Sequence, residues 1–143
     1  SLKDGTKKMS KSDSSDLSRI NLTDTKDQIV KKIKKAKTDS QFLPNDDEDL
    51  SKRPEVENLL GIYSSLSNQN LKNSINEFSG KNFSDFKKKL ADLVVEKISP
   101  ISLEINKLQK DNNFIDSVLK EGGEKANEYA SKKVEEMKKI IGF

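Results

Sequence analysis

Apolar residues that recur every three or four positions are the feature that most constrains the fold of this chain. The pattern extends from Ile29 to Ile141, and the run Leu71, Ile75 and Phe78 is one example. A spacing near 3.6 residues places side chains on one face of an α-helix, and no segment alternates convincingly with the period of two typical of a strand. The sequence therefore predicts an all-α fold, a bundle of roughly five to six helices.

Residues that can cap helices predict where four of these helices begin. Thr25, with Gln28 three positions later, fits a capping box, and Pro54 suits the first turn of a second helix. Ser84 and Asp111 are candidate caps for two later helices. The helical part of the chain is therefore expected to start at residue 25.

Proline and glycine predict interruptions in the later helices. Pro100 falls inside a long apolar pattern, where its missing N–H favours a kink or a break. Gly122 and Gly123 separate two further apolar patterns, so we expect an interruption there as well. The polar stretches 1–24 and 38–53 are expected to be loops, the first of them mobile.

The composition excludes several kinds of site. The chain has no cysteine, which excludes disulfides and thiolate metal sites, and no histidine, which excludes His-based triads and most zinc sites. The acidic run 46–49 lacks the spacing and the glycine of a calcium loop, and we expect no metal site. No stretch approaches the roughly 20 apolar residues of a membrane span, and no signal peptide is visible, so we expect a cytoplasmic protein without a membrane contact.

Basic residues are concentrated in the first quarter of the chain. Residues 1–37 hold eleven Lys or Arg and five Asp, a balance of +6, whereas the whole chain carries +3. This asymmetry favours a phosphate-rich partner for that end. Around the apolar face of the first helix lie five lysines, Lys31, Lys32, Lys34, Lys35 and Lys37. We take Lys31, Lys34 and Lys35 as candidates for contacts with the phosphates of such a partner, and an ordinary solvated helix face is an equally good interpretation.

The stretch KMSKS, Lys8 to Ser12, is the strongest candidate site. Lysine ammoniums, serine hydroxyls and exposed loop amides all donate hydrogen bonds, and Lys8 and Lys11 are spaced so that both could converge on one polyphosphate. Such a loop can follow phosphate charge as it develops during phosphoryl or nucleotidyl transfer. Met9 can pack adaptably as a loop shifts. On chemistry alone a solvated lysine–serine loop is the commoner outcome.

Four stretches, in order along nearly the whole chain, carry a family resemblance. They are KKMSKSD, INLTDTKDQIVKKIKKAKTDS, RPEVENLLGIYSSL and GGEKANEYASKKV. KMSKS matches a signature of class I aminoacyl-tRNA synthetases letter for letter, and the ordered set resembles the C-terminal part of bacterial-type tryptophanyl-tRNA synthetases. That family usually has Gly-Ala-Glu-Lys-Ala where this chain has GGEKA. Tyrosyl-tRNA synthetases are the nearest competitor, but their C-terminal sequences do not resemble GGEKANEYA.

The resemblance implies an activity and a role for each loop residue. Synthetases of this family join tryptophan to ATP as tryptophanyl-adenylate, with Mg²⁺, and then transfer the aminoacyl group to tRNA(Trp). By this resemblance Lys8 and Lys11 are catalytic and hold the pyrophosphate leaving group. Ser10 and Ser12 donate to the ATP phosphates, and Met9 lies beside the nucleotide.

The resemblance also implies a larger protein. In the family a Rossmann-like catalytic half with a His-Ile-Gly-His-type motif precedes this loop, and the present chain has no histidine. We therefore expect residues 1–24 to be the KMSKS loop and a linker from that half. Residues 25–143 are then a helical, anticodon-binding-type domain. The longer protein is expected to be a homodimer, mainly through its catalytic half, and this part alone is expected to be inactive.

Other functions stay open from the residues alone. The chain could be a free-standing helical RNA-binding module without catalysis, or a purely structural, protein-binding bundle. The two tyrosines, Tyr63 and Tyr129, and the six phenylalanines could stack on anticodon bases. Most of them lie on apolar stripes, which favours core packing. The pattern predicts core packing least clearly for Phe83 and Phe143.

Overall fold

The computed structural model describes residues 1–45 and 50–142, and these are helical without a strand. The α-helices are α1 (Lys26–Lys35), α2 (Pro54–Ser67), α3 (Leu71–Phe78), α4 (Phe83–Leu108) and α5 (Asn112–Ile141). Short 3₁₀ turns occupy Asp16–Ser18 and Leu50–Lys52. The all-α prediction is confirmed.

The chain divides into two compact units, Ser1–Leu103 and Glu104–Phe143. The first unit contains α1, α2, α3 and most of α4, and the second contains the end of α4 and α5. In the described part of the chain, no helix combines the length and the apolar character needed to cross a membrane.

Three aromatic rings form the centre of the first unit. The rings of Tyr63 and Phe78 meet edge to face, with centroids 4.8 Å apart, and those of Phe78 and Phe86 are also 4.8 Å apart. Such edge-to-face pairs contribute beyond the area that they bury. The buried side chains around them come from all four helices of this unit and from Leu2 and Leu43, so α1 is part of this core.

The predicted helix starts are mostly confirmed. The Thr25 hydroxyl accepts from the Gln28 N–H and the Gln28 side chain accepts from the Thr25 N–H, which completes the capping box of α1. The Asp111 carboxylate accepts from the Phe114 N–H at the start of α5. Pro54 is the first residue of α2.

Ser84 is not the cap of α4, and this prediction is wrong. The helix begins at Phe83, and the Asn82 side-chain oxygen accepts from the Asp85 N–H at 2.9 Å. The Asn82 amide also donates to the Asp85 carboxylate at 2.8 Å. Asparagine caps as well as serine does, and the earlier start lets Phe83 pack against the core.

The helices continue through the residues that were expected to interrupt them. Helix α4 is unbroken at Pro100, and α5 is unbroken at Gly122 and Gly123. A glycine costs about 1 kcal/mol in a helix, which a 30-residue helix can absorb. An ion pair of 2.6 Å between Lys125 and Glu121 also spans the glycine pair.

Helix α5 buries none of its residues, contrary to the core packing expected for its aromatic side chains. Tyr129 is 78% exposed, and Phe114 is also exposed. The second unit contains one complete helix. A single amphipathic helix cannot cover its own apolar stripe.

Candidate phosphate-binding loop and basic helix

The segment before the candidate loop is fixed to the first unit, although residues 1–24 were expected to be mobile throughout. Leu2 is buried, its N–H donates to the Ser18 carbonyl at 2.9 Å, and its carbonyl accepts from the Lys37 N–H at 2.8 Å. These bonds bring the two ends of the loop together beside the C-terminal end of α1. The prediction of mobility is therefore wrong for the ends of the segment.

Gly5 lies directly against the start of α2. A Cβ atom added here would lie 2.4 Å from both the carbonyl carbon and the carbonyl oxygen of Pro54. Atoms of the backbone cannot give way as a flexible side chain can, so this approach requires glycine. The contact fixes the chain two residues before the basic stretch begins.

The tip of the loop, residues 7–12, is exposed along its whole length. Lys7 pairs with Asp4 at 3.4 Å. Within the described residues, Lys8 and Lys11 have no carboxylate at ion-pair distance. The Ser10 and Ser12 hydroxyls also lie at the tip, with their oxygens 3.1 Å apart. The tip therefore presents two ammoniums and two hydroxyls to solvent, a donor set that suits a polyphosphate.

Met9 faces a cavity in the first unit rather than only solvent. The cavity has a volume of about 620 Å³, and its walls come from the loop, α2 and α4. Its apolar lining includes Leu2, Met9, Ile20, Ile62, Leu66 and Val94. A thioether at the edge of this cavity can repack as the loop moves.

Lys32 is buried, which corrects its placement on the exposed lysine surface of α1. Its side chain is 3% exposed, and its Nζ lies 2.6 Å from the Asp16 carboxylate and 2.6 Å from the Asp24 carboxylate. It lies one turn after Ile29 and next to Ile33, on the apolar stripe. A lysine inside an apolar stripe was the available signal for a buried ion pair, since a buried charge needs a partner.

The carboxylates around Lys32 belong to a hydrogen-bonded segment that leads out of the loop. The Asn21 N–H donates to Asp24 at 2.8 Å, and the Asn21 amide donates to Asp16 at 2.9 Å. The hydrogen bond from Lys32, followed by that from Asn21, lowers the pKa of Asp16. Arg19 reaches back to the Asp13 carbonyl at 3.1 Å. The segment between the loop tip and α1 is therefore attached to α1 through its side chains.

The three candidate RNA-binding lysines form the exposed face of α1. Lys31, Lys34 and Lys35 are exposed, and none has a carboxylate at ion-pair distance among the residues described. Lys87 of α4 lies beside them, and its Nζ donates to the Ala36 carbonyl at 2.6 Å. Partial burial lowers the pKa of Lys87. Sequence reasoning missed Lys87, because nothing local indicates that the start of α4 packs against the end of α1.

The remaining candidate residues lie in different parts of the chain. The acidic run 46–49 and Phe143 lie outside the described residues. Phe83 is partly buried and packs against the core.

We predict that the loop tip exchanges its amide hydrogens much faster than the segments that hold it. Residues 8–12 are exposed, whereas the amides of Leu2, Lys7, Ser18 and Lys37 donate to backbone carbonyls. Hydrogen exchange of the 143-residue chain without ATP, followed by mass spectrometry, should show little protection at the tip. Strong protection of residues 8–12 would contradict a loop that waits for a ligand.

Comparisons with known proteins relate most of the chain to one family. The family described as "tRNA synthetases class I (W and Y)" matches residues 1–100. A tryptophan–tRNA ligase of Rhizobium meliloti is 53% identical over all 143 residues, and one of Caulobacter vibrioides is 46% identical over the same length. A tryptophan–tRNA ligase of Rickettsia felis is also 46% identical. The chain spans 40% of the length of the Rhizobium relative, 42% of the Caulobacter relative and 43% of the Rickettsia relative.

Proposed function

The chain belongs to the class I tRNA synthetases of the tryptophan and tyrosine type, and from this premise we propose that it is the C-terminal part of a tryptophan–tRNA ligase. The relatives that it matches along its whole length carry that name, which favours tryptophan over tyrosine as the amino acid. The reaction has two steps, formation of tryptophanyl-adenylate from ATP and transfer of the aminoacyl group to tRNA(Trp). We call the longer protein the complete enzyme; experimentally, it is this chain joined to the catalytic half of the Rhizobium relative.

The exposed loop tip binds the phosphates of ATP in this proposal. Lys8 and Lys11 hold the two terminal phosphates, which leave as pyrophosphate when tryptophan attacks the α-phosphate. Ser10 and Ser12 donate hydrogen bonds to the same phosphates. Met9, at the edge of the apolar cavity, lies beside the nucleotide and repacks as the loop closes.

The catalytic effect of the loop is electrostatic. Negative charge grows on the leaving pyrophosphate as its bond to the α-phosphate breaks. Once the loop has closed, the lysine ammoniums stabilise this charge more in the transition state than in bound ATP. The fixed ends of the loop support the proposal, because they limit the reorganisation that the tip needs in order to reach the phosphates.

Magnesium does not fit a site within the described part of this chain. That part contains no group of three or more acidic or other ligating side chains arranged to hold a metal ion, and the loop tip is cationic. Mg²⁺ that accompanies ATP would be held by the phosphates and by the catalytic half. No step at the loop tip requires a metal ligand from this chain.

The helical region contributes to tRNA binding in this proposal. Residues 25–143 are the anticodon-binding-type domain, and residues 1–24 are the loop and its link to the catalytic half. Lys31, Lys34 and Lys35 contact tRNA phosphates, which their exposure and their lack of described carboxylate partners support. The complete enzyme is a cytoplasmic homodimer, joined mainly through its catalytic halves.

The observation that carries the proposal is the exposed KMSKS tip in a chain of this family, and a pyrophosphate-exchange assay tests it. The complete enzyme should catalyse tryptophan-dependent exchange of pyrophosphate into ATP. The 143-residue chain alone should be helical by circular dichroism but should show no exchange, because it has no histidine motif and because, in this proposal, the tryptophan pocket belongs to the catalytic half. The catalytic half alone is the matched control and should show greatly reduced exchange.

Two results would contradict the proposal. Exchange by the 143-residue chain alone would show that catalysis does not need a preceding half. Failure of this chain to raise the activity of the catalytic half, although the joined protein is folded, would show that the chain does not supply the ATP loop.

A further inference from the structure

We propose that Lys32 is a positioning residue that keeps the KMSKS loop aligned for ATP through its two ion pairs, of which the pair with Asp24 is buried. The proposal rests on the proposed function, since it concerns how the same loop is aligned. Lys32 is far from the loop tip along the chain and would not touch ATP. It acts through the segment that connects the loop to α1.

The geometry joins three separate pieces of the chain at one ammonium. Asp16 lies in the 3₁₀ turn that follows the loop, Asp24 lies just before α1, and Lys32 lies within α1. Both carboxylates are 2.6 Å from the Lys32 Nζ. Asn21 bonds to both carboxylates as well, which closes the segment between them into a compact turn.

Helix α1 holds both ends of the loop. On the incoming side, the Leu2 carbonyl accepts from the Lys37 N–H just beyond α1, and Leu2 also bonds to Ser18. On the outgoing side, Asp16 is bound to Lys32, four residues after Ser12. A shift of Asp16 would therefore be passed to the loop tip through a short stretch of chain.

The buried pair is better suited to alignment than to stability. Replacing a buried ion pair with uncharged groups is often neutral or stabilising, because desolvation of the charges offsets their attraction. A charge-assisted hydrogen bond nevertheless fixes direction and distance more narrowly than apolar packing does. We therefore expect the chain still to fold without these charges, but the loop to lose its alignment with ATP.

The test is the double variant Lys32→Met/Asp24→Asn in the complete enzyme. It removes one positive and one negative charge together, so neither is left buried and unpaired. Asn at position 24 keeps an oxygen for the Asn21 N–H, and Asp16 is 54% exposed and can be solvated. Lys26→Met is the matched control, because Lys26 is an exposed lysine on the same helix and has no part in the proposed ATP or tRNA contacts.

The measurements are the thermal midpoint and the kinetics of pyrophosphate exchange with ATP and tryptophan varied in turn. The folded double variant should show a rise in KM for ATP of about tenfold and a fall in kcat of about tenfold, as expected when reacting groups are misaligned by a fraction of an ångström to an ångström. The KM for tryptophan should not change. Lys26→Met should leave the KM for ATP, the kcat and the KM for tryptophan unchanged.

Several outcomes would overturn the proposal. A folded double variant with ATP kinetics within twofold of the unsubstituted enzyme would show that Lys32 is only structural, as would an equal change in the KM values for ATP and tryptophan. If the double variant does not fold, the single variant Asp16→Asn is the deciding test, because it removes one of the two ion pairs at a partly exposed position. It should raise the KM for ATP about threefold, and no change would refute the alignment role. An unsubstituted complete enzyme without exchange would instead refute the proposed function.

Discussion

Lys11→Ala in the complete enzyme should slow the formation of tryptophanyl-adenylate by about 10²–10³, equivalent to roughly 3–4 kcal/mol, as for loss of one preorganised donor to a developing negative charge. Lys11 is exposed at the loop tip and has no carboxylate partner among the described residues, so its ammonium is available to the pyrophosphate. Tryptophan affinity should barely change, because the proposed function places the amino-acid pocket in the catalytic half. Pre-steady-state adenylate formation is the measurement.

Two further variants separate loop chemistry from general positive charge. Lys11→Arg should restore only part of the rate, since a planar guanidinium does not replace a compact ammonium in a tight phosphate site. Lys34→Ala removes an exposed lysine from α1 and should leave adenylate formation intact, while at most weakening tRNA binding and its salt dependence. An adenylate rate for Lys11→Ala equal to that of the unsubstituted enzyme would mean that KMSKS is here a solvated loop.

Phe86→Ala should lower the free energy of unfolding of the 143-residue chain by about 3–5 kcal/mol, the range for an aromatic side chain removed from a tight core. Phe86 is fully buried and lies against both Tyr63 and Phe78, so truncation removes two ring contacts and leaves a cavity. Domains of this size are stable by only about 5–15 kcal/mol. Denaturant unfolding followed by circular dichroism should therefore show a large fall in the midpoint.

Phe42→Ala is the matched control for this substitution. The Phe42 ring is 67% exposed, and the hydrogen bond from Arg53 goes to the Phe42 backbone carbonyl, which the substitution retains. Its loss should change the free energy of unfolding by less than about 0.5 kcal/mol. Equal effects of the two substitutions would contradict the placement of the core around Phe86.

Local signals explain how much of the fold could be predicted from the sequence. The capping box at Thr25 and the cap at Asp111 each involve residues three positions apart, so their chemistry is complete within one turn of chain. The apolar spacing around Phe78 and Phe86 likewise indicates which side chains turn inward. These features do not depend on what the helix packs against.

Features that depend on distant partners could not be predicted in the same way. Asp16 and Asp24 precede Lys32 by 16 and 8 residues, and only the folded chain brings all three together. The position of Lys87 beside the end of α1 spans about 50 residues of chain. Helix periodicity also identifies an apolar stripe on α5 without showing whether anything covers it.

The candidate site also has features that the sequence could predict and features that it could not. The residue types at the loop tip, three lysines and two serines, permit phosphate binding, and the family resemblance of KMSKS favours it over a solvated loop, whereas the exposure of the tip is compatible with both interpretations. The supports of the loop were not apparent, because they are a backbone bond from Leu2, a close approach at Gly5 and a buried pair at Lys32. Such supports are formed by tertiary contacts.

The most direct test of the phosphate-binding loop is a crystal structure of the complete enzyme with tryptophan and a non-hydrolysable ATP analogue. The quantity to measure is the distance from the Lys8 and Lys11 ammonium nitrogens to the nearest terminal phosphate oxygens. We predict that both distances are about 2.7–2.9 Å, the range for charge-assisted hydrogen bonds. A nucleotide fully bound in the catalytic half while both ammoniums remain in solvent would contradict the account.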